Sequence, residues 1–466
     1  MAFVGREAES SALRALVAEP TSSLIRVTGP RGSGKSTLVL SATSGLDRVI
    51  YRAVPLPERR QLELLAAAAG TSLDDERSRE RSSDSWTHLF EHVAAQATRE
   101  GAPRLLVIDD AHRLAETRAR WRDPLAAVLR RAMDEGRRLH VIVISSGTAD
   151  PWPEGLEDIV QSTIEVKPLT FRAAAPLLPG ARPRDMLRAY AVFGGLPTVL
   201  RHLDKGVTVG TNIRRLMLDE SQPLCGLAGD WLEREFQSPH RYYAIMATLA
   251  SGEATWAQVH AGVPGLTTGG QVAPYMKRLQ ELGWVQTRRS LDAGSGGRAR
   301  RYSITDPFLA HWFRFLFPRR FQPEPPDPRS YYAEVIKPAL SRHIEAMLPS
   351  ICRDFMKDGA AEVLGSHARE LGSLWGGDYD LDVAGVLRSG AAFCGHCYWE
   401  GPPDGADPLE HLDAQMRASR YRISREARLR LLFSGRPIPR PIQREVARRS
   451  DTFVIGPEEL LGNSRV

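Results

Sequence analysis

The first 167 residues alternate short apolar runs with longer segments in which apolar residues recur every three or four positions. The short runs have the length and composition of buried β-strands, and the longer segments have the period of amphipathic helices. Strands that alternate with helices are typical of an α/β domain with a parallel sheet, and we predict such a domain over residues 1–167. Its candidate strands are residues 24–28, 48–52, 104–109, 140–146 and 162–166.

The hydrophobic pattern becomes helical after residue 167 and changes again near residue 238. Residues 168–237 are broken by Pro-Gly and Gly-Gly-Leu-Pro sequences and predict a small helical domain, which we call the lid. Residues 238–320 predict a winged helix, because three helical segments precede two short strands around a Gly- and Arg-rich tip. The helical segments are 240–250, 255–261 and 270–282, and the strands are 284–288 and 301–304.

A proline-rich segment, residues 321–330, separates this region from the C-terminal part of the chain. Closely spaced prolines favour a stiff, extended linker. Residues 331–466 begin with helical periodicity and continue with apolar runs, which predicts a last α/β domain. Its candidate strands are residues 379–386, 391–399, 428–433 and 452–455.

Residues 29–37 form a complete G-x-x-x-x-G-K-S sequence between a predicted strand and a predicted helix. The glycines of such a loop let backbone N–H groups surround phosphate oxygens, and the helix N-terminus adds a favourable dipole. We expect Lys35 to reach the β- and γ-phosphates and Ser36 to ligate Mg²⁺, whereas a glycine-rich turn without a ligand would not need this pair. The predicted cofactors are therefore ATP and Mg²⁺, and the predicted phosphate-binding residues are Gly29, Pro30, Arg31, Gly32, Ser33, Gly34, Lys35, Ser36 and Thr37.

An apolar run at residues 104–108 ends in Asp109 and Asp110. A P-loop ATPase needs an acidic residue on a neighbouring strand to hold Mg²⁺. We predict that Asp109 is this metal-associated carboxylate and that Asp110 orients or deprotonates the attacking water, which makes Asp110 and Lys35 the predicted catalytic residues. The alternative is a strand end that caps the following helix, because Asp is a favoured N-cap residue.

A third apolar run, residues 140–144, is followed by Ser145, Ser146 and Gly147. Hydroxyl groups at this strand end are candidates for contact with the γ-phosphate or the attacking water. The alternative is ordinary turn chemistry, for which serine is also a common choice.

Composition narrows the class of protein further. A chain of 466 residues is too long for one hydrophobic core, and its four cysteines agree with a reducing compartment and no disulfide framework. No segment is long and apolar enough to span a bilayer, and residues 1–14 lack the apolar core of a signal peptide, so we predict a cytoplasmic protein with no membrane partner. The net charge of +6 permits nucleic-acid binding without establishing it.

Several motifs together resemble those of the STAND ATPases, in particular the prokaryotic group often called archaeal-type ATPases. The segment 3–7 (Phe-Val-Gly-Arg-Glu), the P-loop, the Ile-Asp-Asp-Ala-His sequence at 108–112 and the Gly-Leu-Pro sequence at 195–197 carry the resemblance. Residues 302–309 and 312–315 are similar to the end of that group's winged helix, so the resemblance covers most of the chain. It implies that the adenine is flanked by Gly5, Arg6, Glu7 and Pro197.

The resemblance implies a nucleotide-dependent switch rather than a fast enzyme. In such a switch the lid and the winged helix close on ATP and rearrange after hydrolysis. No arginine of the sequence can be assigned as an arginine finger, so the need for a neighbouring subunit is left open.

The predicted winged helix offers basic residues to a partner. Lys277 and Arg278 lie on its third helix, and phosphate contacts from such residues position a protein on DNA without reading its sequence. The alternative is an internal packing module with a solvated basic hairpin. The wing would carry Arg288, Arg289, Arg298, Arg300 and Arg301.

The sequence Cys-Gly-His-Cys at 394–397 matches a redox motif, but the residues after it cannot begin the helix that lowers the thiol pKa in such proteins. It also lacks the second ligand pair of a structural zinc site. The flanking residues instead resemble the restriction-endonuclease-like domain found at the end of this family. Asp382 takes the metal-ligand position, whereas His396 and Tyr398 replace the glutamate and lysine of the Glu-x-Lys pair. Because hydrolysis in this fold needs two carboxylates and a lysine, we predict a domain without nuclease activity.

The predicted fold class is α/β: a P-loop NTPase parallel sheet with a helical lid, a winged helix and a C-terminal α/β nuclease-like domain. The predicted function is a slow STAND-like ATPase that works as a nucleotide-dependent switch. The predicted partners are DNA, through the winged helix and the Arg-rich residues 417–449, and a protein partner or a second copy of the chain. The alternative for residues 417–449 is an ordinary solvent-exposed helix that binds no partner. The alternatives are a DNA-processing nuclease driven by ATP, and a DNA-binding or scaffold regulator that does not hydrolyse ATP.

Overall fold

The computed structural model describes residues 4–72, 82–116, 120–146, 159–293, 300–401, 407–419, 421 and 428–462. The chain divides into two compact units. The first unit comprises Met1–Lys167 with Glu281–Gly283, and the second comprises Pro168–Gln280 with Trp284–Val466. No helix in the described part of the chain is long and apolar enough to cross a membrane.

The first unit is built on a parallel five-stranded sheet in the order β2-β3-β4-β1-β5. The central strands are buried over nearly their whole length, which explains their continuous apolar sequences. The α/β fold class predicted for this region is confirmed. The strands are β1 Ser23–Thr28, β2 Asp47–Arg52, β3 Arg104–Asp109, β4 Leu139–Ile144 and β5 Val160–Glu165.

Helices cover both faces of this sheet, because each face carries its own apolar cluster. Trp86 and Phe90 anchor one cluster, and Leu13 and Leu38 belong to the other. A parallel sheet covered on both faces leaves the carboxyl ends of its strands at one edge, where ligands bind in such folds. The helices are α1 Glu7–Ala18, α2 Lys35–Ala42, α3 Glu58–Ala68, α4 Ser82–Ala95, α5 His112–Glu116 and α6 Arg122–Asp134.

The second unit begins with helices. Those of the predicted lid are α7 Phe171–Ala174, α8 Pro183–Phe193, α9 Pro197–Leu200, α10 Val209–Asn212 and α11 Pro223–Glu235. Three helices and an antiparallel hairpin follow, in the order expected for the predicted winged helix. They are α12 His240–Leu249, α13 Trp256–Ala261, α14 Ala273–Glu281, β6 Val285–Arg289 and β7 Arg300–Ile304.

The predicted extended linker is shorter than expected, because its last residues are helical. Asp327 caps a helix that starts at Pro328, and its side chain accepts the N–H groups of Arg329 and Ser330. Proline fits the first position of a helix, where its missing N–H group is not needed. The predicted linker, residues 321–330, therefore overlaps this helix from Pro328 onward. The helices around it are α15 Pro307–His311, α16 Phe317–Arg320, α17 Pro328–Tyr331 and α18 Lys337–Leu364.

A second five-stranded sheet, in the order β12-β11-β10-β9-β8, completes this unit. β8, β9 and β10 are antiparallel, whereas β10, β11 and β12 are parallel. The prediction missed the edge strand β8, whose sequence includes Gly372 and Ser373 and lacks a long apolar run. The elements are β8 Ala368–Trp375, β9 Asp380–Leu387, β10 Ala392–Tyr398, α19 Pro408–Ser419, β11 Arg428–Ser434, α20 Arg440–Val446, β12 Thr452–Ile455 and α21 Pro457–Leu460.

Candidate nucleotide-binding site

The G-x-x-x-x-G-K-S sequence forms the turn between β1 and α2. Gly32 and Gly34 have positive φ angles of 81° and 93°, which glycine adopts without a steric penalty. A Cβ atom at Gly29 would lie 2.2 Å from the Val166 carbonyl oxygen, so only glycine fits there. The sequence therefore folds into a tight loop whose last turn opens directly into a helix N-terminus. This is the geometry that binds phosphate groups in P-loop proteins.

Lys35 is buried inside this loop. Its Nζ donates hydrogen bonds to the carbonyl oxygens of Gly29 and Pro30, at 2.9 Å each. Burial lowers the pKa of Lys35 to about 8, although the carboxylates of Asp110 and Asp109 act in the opposite direction. The loop thus holds a cation at its centre, where the phosphates of a nucleotide bind in P-loop proteins.

Ser36 and Asp109 meet at the end of β3. The Ser36 hydroxyl donates to the Asp109 carboxylate at 2.9 Å, and the same oxygen accepts the N–H of Asp110 at 3.0 Å. Burial and then the charge of Asp110 raise the pKa of Asp109 above its usual value. The structure therefore brings together the two residues that the sequence assigned to Mg²⁺. Their oxygen atoms are ligands of the type that Mg²⁺ prefers.

Asp110 is the only non-glycine residue with a positive φ, 54°, among the residues that the structure describes. Residues held in this conformation cluster at active sites and switch regions. Its carboxylate forms an ion pair with Arg52, with Oδ2 3.1 Å from Nη2. Arg52 was not predicted, because only the pairing of β2 with β3 places it beside this strand end. The carboxylate of Asp109 contacts Ser36 instead of capping α5, so the capping alternative does not account for Asp109.

Three side chains near the ends of these strands have buried polar atoms without hydrogen-bond partners among the residues that the structure describes. They are Ser33 in the loop, Ser145 after β4, and His112 after Asp110. Buried polar atoms without protein partners are uncommon and are satisfied by water or a ligand in most proteins. The sheet order places β4 between β1 and β3, so Ser145 follows the strand that lies between the P-loop and the acidic pair. Gly147, which was considered with Ser145 and Ser146, lies outside the described residues.

His112 received no role from the sequence, although it belongs to the acidic motif. Burial lowers its pKa to about 4, while the charge of Asp110 acts in the opposite direction. Its ring is therefore neutral at pH 7. The only sequence signal was its position three residues after Asp109, at the start of α5.

Arg6 lies beside the P-loop, in the segment predicted to flank the adenine. Its guanidinium donates to the carbonyl oxygens of Ser33, at 3.2 Å, and of Lys167, and it forms an ion pair with Glu9 at 2.7 Å. Arg6 thus supports the backbone of the phosphate loop. Gly5 precedes it with a φ of 70°, which favours glycine.

Pro197 lies in the second unit, as the first residue of α9. The loop before it is fixed by two close approaches. A Cβ at Gly195 would lie 1.9 Å from the Leu169 carbonyl oxygen, and one at Gly194 would lie 2.6 Å from the Asp306 carboxylate. Burial raises the pKa of Asp306 to about 7. The Gly-Leu-Pro sequence therefore forms a rigid turn within its unit.

The predicted wing is in contact with the edge strand β8 of the same unit. Arg288 and Arg301 are paired directly across β6 and β7, so their side chains lie on the same face of the hairpin. Both approach the ring of Trp375, at 5.6 and 4.6 Å. Arg301 forms an ion pair with Asp380 at 2.8 Å, and Arg288 forms one with Glu253. These contacts favour the packing alternative for both arginines.

The other basic residues of this region have mixed surroundings. Arg278 forms an ion pair with Glu235 at 2.6 Å, and Lys277 also has a partner. Arg289 is exposed, Arg300 is half-buried, and Arg298 lies outside the described residues. Only part of the predicted basic surface is therefore available to a partner.

The nuclease-like positions lie together at the centre of the second sheet. Asp382 on β9 accepts the N–H of Cys397 at 2.9 Å and lies 3.4 Å from Nδ1 of His396. The hydroxyl of Tyr398 contacts Nδ1 of His411 at 2.8 Å. Glu345, which the sequence did not indicate, accepts the N–H of Trp399 at 3.2 Å. Among the described residues, no group of three or more His, Cys, Asp or Glu side chains is placed to hold a metal ion.

The two cysteines of the Cys-Gly-His-Cys sequence are interior residues of strand β10. Burial raises the pKa of Cys394 to about 12 and raises that of Cys397 as well. A reactive thiol needs a lowered pKa. The burial of both cysteines within β10 has the opposite effect and therefore argues against a redox-active pair.

Some arginines of the region 417–449 form internal ion pairs, whereas Arg440, Arg444 and Arg448 are exposed. Arg430 contacts Asp413 and Asp451, at 2.5 Å each, and Arg449 contacts Asp413 at 3.3 Å. These arginines are neutralised within the chain and are poor candidates for holding nucleic acid. Residues 420 and 422–427 of the region lie outside the described residues.

The comparison with protein families agrees with the geometry of the first unit. Residues 19–150 match the family described as an AAA domain. The first unit therefore contains an AAA-type P-loop ATPase domain, which supports nucleotide binding and ATPase activity in general terms. The chain is also similar to the uncharacterized protein MJECL04 of Methanocaldococcus jannaschii, at 20% identity over 68% of this chain and 69% of that protein.

Solved structures provide weaker likenesses. The Walker-type ATPase PABY2304 of Pyrococcus abyssi has a TM-score of 0.46 and 17% identity, over 67% of this chain and 96% of that one. ORC1 of Aeropyrum pernix in complex with DNA has a TM-score of 0.34 and 17% identity, over 66% and 91%. Drosophila ORC bound to DNA has a TM-score of 0.34 and 14% identity, over 67% and 87%. At these TM-scores neither a ligand nor a partner is carried over to this chain.

Proposed function

We propose that the protein is a STAND-like ATPase that binds Mg·ATP at the loop between β1 and α2 and works as a slow nucleotide-dependent switch. The contact between the Ser36 hydroxyl and the Asp109 carboxylate, at 2.9 Å, carries the proposal. It joins the phosphate-binding loop to the acidic strand, which is the pairing that a P-loop ATPase uses to hold Mg²⁺.

The surrounding groups fit a triphosphate. Lys35 is held inside the loop by two backbone carbonyl oxygens, and such oxygens can give way to phosphate groups that bind the ammonium more strongly. The hydroxyls of Ser33 and Ser145 are buried without partners and can satisfy ligand oxygens. When bound, a Mg²⁺ ion would neutralise negative charge on the β- and γ-phosphates.

The proposed hydrolytic role belongs to Asp110. It directly follows the Mg²⁺-associated residue, and Arg52 orients its carboxylate. A carboxylate in that position can orient or deprotonate an attacking water. Gly5, Arg6 and Pro197 are proposed to flank the adenine, which rests on the family resemblance alone.

We further propose that the second unit contains a lid, a winged helix and a nuclease-like domain without nuclease activity. The element order α18-β8-β9-β10-α19-β11 supports a nuclease-like fold, since one helix, three strands, a helix and a further strand make up its core. The inactive state is supported by the chemistry of its centre. His396 and Tyr398 replace a carboxylate and a lysine, and the Asp382 carboxylate already accepts the N–H of Cys397.

The test of the proposal is nucleotide binding by Lys35→Ala, measured by titration with a fluorescent ATP analogue in the presence of Mg²⁺. Removing the buried ammonium should weaken binding at least about 100-fold, because several charge-assisted contacts are lost. Lys167→Ala is the matched control, since its ammonium is largely exposed and pairs with Glu165 on the surface. Equal affinity of Lys35→Ala and the wild type would show that the nucleotide binds elsewhere.

The non-hydrolysing DNA-binding regulator is the competing function. Exposed Arg289 is the observation in its favour, since it is a basic residue of the wing that is not packed on β8. Phosphate release with and without a DNA duplex distinguishes the two functions. Measurable ATP affinity without any phosphate release, together with DNA binding that Arg289→Gln weakens, would favour the regulator.

A further inference from the structure

Three helical segments of the second unit each contain one turn of the wider π-helix: Ile213–Met217, Trp312–Leu316 and Tyr332–Ile336. π-turns are rare and occur frequently at functional sites. The hydroxyl of Tyr331, next to the third turn, donates to the Phe315 carbonyl oxygen in the second turn at 2.6 Å. The three turns are therefore not scattered over the unit.

The first π-turn lies against the third. A Cβ at Gly210, three residues before the first turn, would lie 2.2 Å from the Tyr332 hydroxyl, so glycine is needed for this close approach. The Arg214 guanidinium of the first turn lies 5.6 Å from the centre of the Tyr332 ring. All three turns thus meet in one place.

A cavity of about 600 Å³ is lined by residues of the first π-turn, of α16 and of α17, the two helices that adjoin the second and third π-turns. Its volume lies within the range of small-molecule binding sites. Four arginines from three separate stretches of chain line it: Arg214 and Arg215 from the first π-turn, Arg319 from α16, and Arg329 from α17. Asp219 and Glu220 also line it, so the formal charge of the lining is 4 − 2 = +2.

Two of the four guanidinium groups are held by neutral partners. Arg319 is buried and donates to the Pro326 carbonyl oxygen at 3.0 Å, and Arg214 donates to the Gly210 carbonyl oxygen at 3.4 Å. Arg215 forms an ion pair with Asp204 at 3.4 Å. A carbonyl oxygen leaves the charge of Arg214 and Arg319 uncompensated, so this charge is available to an anion. Arg329 is exposed and lies near the Asp327 carboxylate.

We propose that this cavity, which we call the arginine cavity, binds a small phosphorylated ligand. Guanidinium groups match the geometry of phosphate oxygens and bind them through paired hydrogen bonds. The arginines converge on a concave site from three stretches of chain instead of forming an extended stripe, which favours a small molecule over a nucleic-acid backbone. The proposal does not depend on the ATPase function of the first unit.

The test must keep the phosphate probe away from the P-loop. We therefore use the full chain carrying Lys35→Ala and titrate it with sodium tripolyphosphate in a calorimeter. Arg214→Gln and Arg329→Gln, introduced together, should weaken binding at least tenfold. Arg234→Gln is the matched control, because this exposed arginine of α11 does not line the cavity, and it should change the affinity less than twofold.

Two further measurements distinguish a loss of binding from a loss of folding. Thermal melting followed by circular dichroism checks that the variants are folded. Arg329→Gln alone, in the otherwise natural chain with the P-loop saturated with Mg·ADP, should still weaken tripolyphosphate binding, and Arg329 is exposed, so its loss should not affect folding.

The proposal is overturned if tripolyphosphate does not bind the Lys35→Ala chain, or if it binds with the same affinity after both arginines are replaced. A DNA duplex is titrated in parallel. Binding of DNA but not of tripolyphosphate, reduced by the same two substitutions, would also overturn the proposal and assign the arginines to a nucleic-acid surface.

Discussion

The two sheets of this protein each carry an acidic residue near their centre, and they differ in what that residue contacts. In the first unit, Asp109 contacts the hydroxyl of Ser36, and buried polar atoms of Ser33 and Ser145 nearby have no partner. In the second unit, Asp382 accepts a backbone N–H and lies beside His396. The acidic residue of the first centre thus contacts a side chain assigned to Mg²⁺, whereas that of the second is bound to the backbone of its own sheet. Nε2 of His396 is likewise buried without a partner among the described residues.

This difference shows that an acidic residue on a strand is not by itself a catalytic site. A metal-dependent hydrolase needs oxygen ligands that can exchange a protein partner for a metal ion, and a cation near the reacting group. The first centre has both, because Lys35 lies in the adjoining loop. The second has Tyr398 at the position where the nuclease-like domain proposed above would need lysine, and the Tyr398 hydroxyl contacts Nδ1 of His411.

Of the substitutions that test this comparison, Asp109→Asn should have the largest effect. Loss of the carboxylate should reduce Mg²⁺-dependent phosphate release by about 1000-fold, because the metal then loses its charged protein partner. Asp134→Asn serves as the control, since Asp134 is an exposed carboxylate of the same unit at the end of α6. If Asp109→Asn releases phosphate at the wild-type rate, Asp109 is not the carboxylate that holds Mg²⁺.

A smaller effect is expected from Asp110→Asn, which also separates the catalytic role from the capping alternative. Asparagine is as good an N-cap as aspartate, so a purely capping residue would tolerate the change. A residue that orients or deprotonates water should lose about 100-fold in the rate of phosphate release with ATP affinity retained. Single-turnover kinetics and an ATP titration give the two quantities separately.

The buried carboxylate of Asp306, in the second unit, predicts that the stability of the protein depends on pH. Burial raises its pKa to about 7 in the folded protein, above the unfolded value of 3.8. The protonated form is thus favoured by folding, and its stabilising contribution is complete below pH 3.8 and lost as the pH rises through 7. The free energy of unfolding should fall with pH in that window, by at most about 1.4 kcal/mol per pH unit.

Asp306→Asn should remove this slope, because asparagine is neutral and keeps the cap on α15 that Asp306 provides through the N–H of Phe308. Urea unfolding at a series of pH values measures the effect. An identical slope in the variant and the wild type would show that Asp306 is ionised in the folded protein throughout this range.

The smallest effect is expected from Asp382→Asn in the second sheet. Phosphate release should stay within about twofold of the wild-type rate, because the account gives this residue no catalytic role. Urea unfolding distinguishes any structural consequence from a chemical one, since Asp382 accepts the N–H of Cys397. A loss of phosphate release in a fully folded variant would show that the second sheet takes part in the reaction.

The sequence predicts the first centre better than its surroundings. The P-loop and Asp109 were predictable, because glycine spacing and a buried strand end have local signatures. Arg52 was not, because its contact with Asp110 depends on which strands pair. The unpartnered state of Ser145 depends likewise on the order of the sheet.

The second unit departed from prediction where tertiary packing decides structure. Strand β8 was missed because a strand with Gly372 and Ser373 is recognisable only once it pairs with β9. The contact of Arg288 and Arg301 with Trp375 joins segments far apart in sequence. Charge patterns in a sequence show how many arginines a hairpin carries, but not which of them the fold uses internally.

The central claim is that the first sheet holds the catalytic centre of the chain and the second holds none. Its most direct test measures phosphate release from Mg·ATP and cleavage of a labelled DNA duplex in the same reactions. The proteins compared are the wild type, Lys35→Ala and Asp382→Asn. The account predicts phosphate release that is lost only in Lys35→Ala and no cleavage with any of the three. Mg²⁺-dependent cleavage that disappears in Asp382→Asn, or phosphate release that survives in Lys35→Ala, would contradict it.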